Sequence, residues 1–159
     1  VIIKPLAPQH ARAGFRCGNH EIDRYFHSQA GRDAARRLAA IFVLTSADDR
    51  PAGFYSLSQI TILLPDLLGP QRQPESRYPA LPAARLTRLA VDKRHQHQGL
   101  AQTLLADAIS RVCQTHPSAI ALIADSPSPG FYTRAGFTPF PDQPARWFKP
   151  MAAAGVLGL

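Results

Sequence analysis

The sequence predicts an α/β domain in which helices flank a mixed central β-sheet, and three observations carry that prediction. Stretches with helical periodicity alternate with short apolar strand runs along the chain. Residues 120–125 are apolar at consecutive positions, as a strand covered on both faces requires. A length of 159 residues suits a single domain. That domain is assigned to residues 1–150, and 151–159 form a small apolar tail with no assigned role.

Residues 1–6 read as the first strand. Asn19 then offers an N-cap, with Glu21 and Asp23 in the first turn where carboxylates favour the helix dipole. Ile22, Tyr25, Phe26 and Ala30 follow at core-facing helical spacing, and Arg32 and Arg36 share an outer face of the continuation. Residues 39–45 and 53–62 read as a strand hairpin across the turn Asp48-Asp49-Arg50-Pro51. Five prolines between 64 and 84 predict a loop. Residues 85–91 form the next strand, and a helix runs from about Gln98 to near His116, where Pro117 stops it. The strand 120–125, a two-turn helix, and strands at 137–140 and 146–149 complete the order.

Composition narrows the chemistry. No apolar run of about 20 residues is present to span a membrane, and the first residues are too short a run for a signal peptide, so the chain reads as cytosolic. Cys17 and Cys113 are far apart and read as free thiols. Neither they nor the six histidines have metal-ligand spacing, so no metal is expected. The formal net charge of +7 suits a polyanionic partner, or equally a solvated basic face beside a phosphorylated cofactor.

Two segments concentrate the chemistry. In 89–101 a strand runs through a turn into a helix, whose first N–H groups point outward together at the positive end of the dipole. Gly99 lets a ligand approach the backbone, Ala101 keeps the next contact small, and Lys93 and Arg94 add charge, so a pyrophosphate is the natural guest. The segment lacks the Lys-Ser ending of a P-loop and the three glycines of a dinucleotide fingerprint. In the second segment Ser128 suits an N-cap, Pro129 the first helical position and Gly136 the position past the end. On this helix Phe131 and Ala135 share one face while Tyr132 points elsewhere, and a lone tyrosine reads by default as packed in the core with its hydroxyl satisfied.

Together the segments resemble the Gcn5-related N-acetyltransferases (GNAT). Gln96-His97-Gln98-Gly99-Leu100-Ala101 matches the Q/R-x-x-G-x-G/A acetyl-CoA signature, and Phe131-Tyr132-Thr133-Arg134-Ala135-Gly136-Phe137 matches the block that follows it. Phe15-Arg16-Cys17-Gly18-Asn19, with Ile22-Asp23 and Phe26, resembles the opening of one subgroup, as do the stretches at 53–58 and 88–92. That subgroup comprises type II toxins that acetylate the amino group of aminoacyl-tRNA and are neutralised by ribbon-helix-helix antitoxins.

The resemblance implies a single GNAT-like domain, its sheet splayed between two parallel strands, with acetyl-CoA as cosubstrate. It implies that the backbone of Leu89 and Val91, with Ala90 between them, pairs with the pantetheine arm. It further implies that the N–H groups of Gln96, His97, Gln98, Gly99, Leu100 and Ala101 hold the pyrophosphate, with Phe131 beside the cofactor. Tyr132 takes the position of the acid that protonates the leaving thiolate. Arg32, Arg36, Arg37, Arg72, Arg77, Arg85 and Arg88 are compatible with tRNA phosphates, and a homodimer is expected.

No glutamate stands as a dedicated base, while Asp92 and Asp125 are alternatives acting through water, set against capping and turn roles. An α-amine needs less help than a lysine, since it titrates near 7.7–8 rather than 10.4. Two positions depart from the subgroup, where glycine is common: His97 and Ala101. Transfer to a small amine or a protein amine, and a catalytically silent acetyl-CoA- or nucleic-acid-binding relative, remain the alternatives.

Overall fold

The computed structural model describes residues 2–68, 80–126 and 129–157. Seven strands form one sheet: β1 (Ile2–Pro5), β2 (Ala40–Thr45), β3 (Pro51–Leu63), β4 (Ala80–Val91), β5 (Ala121–Asp125), β6 (Thr138–Phe140) and β7 (Gln143–Pro150). Their order across the sheet is β1-β2-β3-β4-β5-β7-β6. β1 with β2, β2 with β3, β5 with β7 and β6 with β7 are antiparallel. β4 and β5 are parallel, with Ala84, Arg85 and Leu86 opposite Leu122, Ile123 and Ala124. The helices are α1 (His20–Ser28), α2 (Ala30–Ala35), α3 (Leu64–Leu68), α4 (Leu100–Thr115) and α5 (Pro129–Arg134). This is the mixed α/β class that the sequence predicts.

The chain divides into two compact units. One comprises Val1–Ser58 with Thr87–Ala108, the other Gln59–Leu86 with Ile109–Leu159. In the first, Phe15, Phe26 and Phe54 centre the core: Phe26 and Phe54 stack at 4.1 Å between centroids, and Phe15 meets both edge-on. Burying each such ring stabilises the fold by roughly 1.5–3 kcal/mol. In the second, Ile62, Leu64, Leu67, Ile120, Ile123 and Phe140 form the core, joined by Ala154 from the last turn of the chain. Met151 is also buried, and its N–H donates to Ile120 O, so Met151 and Ala154 are packed into this core.

Several expected boundaries shift. The helix capped by Asn19 forms as predicted, with Asn19 Oδ1 accepting from the N–H of Glu21 and Ile22. It breaks at Gln29, however, so Arg32 and Arg36 belong to a separate short helix and its cap. Of the loop expected over 64–84, α3 occupies the start and β4 begins at Ala80, while residues 69–79 lie outside the described residues. Pro82 lies inside β4, where its carbonyl still accepts from Ile120 N–H although it has no N–H to give. The helix expected from Gln98 starts at Leu100, after a 3-10 turn at Lys93–His95. That turn takes His95 out of extended backbone, and His97 is left-handed instead.

Candidate active site

Within the first unit, β4 delivers the chain to a turn held from three directions. Asp92 is 1 % exposed. Its carboxylate accepts from the N–H of Arg16 at 3.0 Å and from Arg94 through N–H, Nε and Nη2 at 2.9, 3.0 and 3.3 Å. Burial opposes ionisation, but these hydrogen bonds outweigh it and hold the carboxyl below the usual range. Lys93 N–H donates to Arg16 O at 2.7 Å. Gln96 Nε2 donates to both Cys17 O and Val91 O. Arg16 and Cys17, which the sequence shows only within a subgroup likeness, are therefore the brace for the turn after β4.

Beyond the brace, His97 and Gly99 both take left-handed backbone, with φ of 63° and 78°. Left-handed residues within a turn bring successive N–H groups to one side and create an anion-binding concavity. A Cβ on Gly99 would meet only Gln102 Oε1, at 3.9 Å. The requirement for glycine from the protein side is thus conformational rather than steric. His97 occupies the position where the subgroup commonly has glycine, and its φ supplies the reason. Histidine is among the residues that tolerate this region best.

The first intrahelical bond of α4 runs from Thr103 N–H to Gly99 O. The N–H groups of Leu100, Ala101 and Gln102 precede it and have no carbonyl partner within the helix. His97, Gln98 and Gly99 are exposed, Leu89, Gln96, Leu100 and Ala101 are half-buried, and Ala90 and Val91 are buried. Every cofactor-binding candidate from Leu89 to Ala101 thus falls on β4, its turn or the start of α4.

Within the second unit, Tyr132 sits on α5, 7 % exposed, with Phe131 and Phe137 edge-on at 5.0 and 5.2 Å. Burial, and then the negative charge of Asp125, push its hydroxyl pKa up to about 12. The phenol is therefore protonated throughout the neutral range. Ser128, the expected N-cap, lies outside the described residues. The predicted C-terminal stop is present: Gly136 has φ 88°, its N–H reaches Thr133 O, and Phe137 N–H reaches Tyr132 O. Lys149 Nζ donates to Ala135 O, adding a cation where the helix dipole favours one.

Neither candidate base is disposed as one. Asp92 takes the capping role, and Asp125 is engaged by Arg85 Nη2 at 2.6 Å and Arg146 Nε at 3.1 Å. The arginines differ in kind. Arg88 lies 3.5 Å over the Tyr25 ring, Arg32 donates to Ser28 O, and Arg36 and Arg37 are exposed. Arg72 and Arg77 lie outside the described residues. Both cysteines are free, and burial raises the Cys17 thiol to about 11. Among the described residues, no group of three or more His, Cys, Asp or Glu could hold a metal ion. None of the described helices is long and apolar enough to cross a membrane.

Residues 8–147 match the family described as the acetyltransferase (GNAT) domain. The chain belongs to the GNAT acetyltransferase family. The acetyltransferase is 29 % identical to the probable toxin TacT of Sinorhizobium fredii, over 95 % of this chain and 91 % of that one. It is 34 % identical to a tRNA-acetylating toxin of Mycobacterium tuberculosis, over 65 % of this chain and 61 % of the relative. Its fold matches that of AtaT complexed with acetyl-methionyl-tRNAfMet, with a TM-score of 0.84, 21 % identity and 99 % of each chain covered. It also matches a tyrosine-to-phenylalanine mutant of AtaT bound to acetyl-CoA and the C-terminus of the antitoxin AtaR. There the TM-score is 0.76 at 19 % identity, covering 98 % of this chain and 94 % of that one.

Proposed function

We propose that this acetyltransferase moves the acetyl group of acetyl-CoA onto the α-amino group of an aminoacyl-tRNA, and so acts as a toxin that blocks translation. The likeness to the probable toxin TacT over 95 % of the chain, together with 34 % identity to a tRNA-acetylating toxin, carries this reading. Pyrophosphate is assigned to the N–H groups from Gln96 to Ala101, where the left-handed turn at His97 and Gly99 opens α4. Pantetheine is assigned to the backbone at Leu89, Ala90 and Val91, with Phe131 beside the cofactor.

The chemistry follows from these assignments. The neutral amine attacks the thioester carbonyl, a C–N bond forms, and the carbonyl oxygen carries the negative charge. Collapse of that adduct breaks the C–S bond, and the departing thiolate takes the proton of Tyr132 Oη. At about 12 the phenol is protonated throughout the neutral range and so holds the proton to give; it is then a weaker acid than a thiol, and the transfer is completed as the tyrosinate regains a proton from solvent. The amine loses its proton to solvent. An α-amine near 7.7–8 needs no more than that, which suits a chain whose two candidate carboxylates are engaged elsewhere.

The subgroup likeness extends the proposal to a cytoplasmic homodimer paired with a ribbon-helix-helix antitoxin, and to residues 1–150 as the catalytic domain. The deciding experiment incubates the protein with labelled acetyl-CoA and charged total tRNA. Label in an alkali-labile aminoacyl ester is expected. Label only in free small amines or in protein overturns the acceptor, and no transfer with intact acetyl-CoA binding overturns the enzyme reading.

A further inference from the structure

Arg85, Asp125 and Arg146 lie on β4, β5 and β7, with Asp125 directly opposite Arg146 in the register. One carboxylate thus stands between two guanidinium groups, leaving an excess of one positive charge. Asp125 holds Arg146 by Nε alone, and the Arg146 guanidinium lies 5.5 Å from the Phe140 ring centroid. Among the described residues, no hydrogen bond uses either Nη of Arg146, and Arg85 Nε is buried without a partner.

A guanidinium fixed along one edge with its other donors open is a fork matched to a phosphate. Beside it opens a cavity of about 430 Å³ lined by Asp125, Ser126, Gln143, Pro144, Ala145 and Arg146. That volume is in the range of small-ligand sites. The same strand that ends at Asp125 leads on to α5 and Tyr132, and the Asp125 charge is felt at the Tyr132 hydroxyl.

We propose that Arg146, braced by Asp125 and supported by Arg85, anchors a phosphate near the 3′ end of the acceptor RNA, with that nucleotide's ribose and base against Pro144 and Ala145. This rests on the aminoacyl-tRNA reading and names a binding point within it. The occupant is an RNA because the site joins excess positive charge to an apolar wall, the two surfaces a nucleotide presents.

The test compares steady-state acetylation of charged tRNA by the wild type, Arg146→Gln and Arg146→Lys at several salt concentrations. Arg146→Gln is expected to raise KM for charged tRNA about tenfold or more, the cost of a charge-assisted bond. It should lower the salt slope of binding by about one, because one phosphate contact is lost. The dissociation constant for acetyl-CoA should not change. Arg146→Lys should keep the salt slope and recover only part of KM, since a point charge lacks the fork. An unchanged KM and salt slope in Arg146→Gln overturns the proposal. If that variant does not fold, an unchanged KM in Arg146→Lys overturns it instead. A wild type that acetylates no charged tRNA is a separate result, which removes the acceptor reading itself and the RNA occupant with it.

Discussion

The amide nitrogen of Gln96 donates to two carbonyl oxygens at once, Cys17 O and Val91 O, each at 2.9 Å. Both of its hydrogens are spent on this bridge, so the side chain ties the end of β4 to the turn that precedes α1. What it fixes is the direction in which the backbone leaves for His97 and Gly99. The glutamine of the acetyl-CoA signature thus works here through a side chain turned toward the protein.

Gln96→Glu removes both donated bonds and sets a carboxylate against two carbonyl oxygens. Two net hydrogen bonds are worth about 1–3 kcal/mol, a drop of several degrees in a domain of this size. Acetyl-CoA affinity should fall by about tenfold, because the N–H groups after residue 96 lose their fixed direction. Calorimetric titration with acetyl-CoA, run beside a thermal melt, checks both. Normal affinity in a variant that melts early would reduce the bridge to a stabilising contact.

Much of this was legible beforehand, for identifiable reasons. Asn19, Gly136 and Pro117 announce helix ends by local chemistry, and each does what it announced. The sheet strands show as apolar runs because burial is written into side-chain type. The brace was not legible, since it is built mainly from backbone groups of Arg16, Cys17 and Val91, which carry no residue-specific signal. The cluster of Arg85, Asp125 and Arg146 was hidden for a different reason. Its members become neighbours only through the register of β4, β5 and β7, which no local pattern encodes. The break at Gln29 falls within a continuous helical periodicity, and the nearby Gly31 lies inside α2 rather than at the break, so it does not mark the position.

Asp92 makes a pH dependence that can be signed. Its folded pKa lies below the ordinary 3.8, so the unfolded chain binds the proton more readily. The carboxylate's contribution is fully present above that ordinary value and is lost as pH falls through the lower folded one. Asp92→Asn should therefore cost stability at pH 7, and the gap to the wild type should narrow as pH drops below about 4. Urea unfolding of both proteins between pH 3 and 7 measures the gap. A constant difference across that range contradicts the assignment.

His97 tests the backbone claim without touching chemistry at a side chain. Left-handed φ costs a non-glycine residue about 1–2 kcal/mol, and β-branching makes it worse. His97→Gly should therefore hold or raise stability and keep acetyl-CoA binding, while His97→Val should lower both. If instead the imidazole itself meets a phosphate, His97→Gly weakens acetyl-CoA binding although the fold is no less stable. Thermal melts with and without acetyl-CoA separate the two outcomes.

Tyr132 carries the final test. Removing its hydroxyl in Tyr132→Phe leaves the ring between Phe131 and Phe137, so the fold and the affinity for acetyl-CoA should persist. Loss of a general acid should cost about 10²–10⁴ in kcat. The pH profile gives a sharper readout. With the phenol at about 12, no alkaline fall in rate should arise from it below pH 10, and the rise on the acid side should follow the amine near 7.7–8. Stability should behave in parallel. The raised folded pKa contributes fully below pH 10 and is lost as pH climbs toward 12, and Tyr132→Phe should lack that component. A variant that keeps wild-type kcat would return Tyr132 to the core as a packed ring, and the proton for the departing thiolate would then have to come from water.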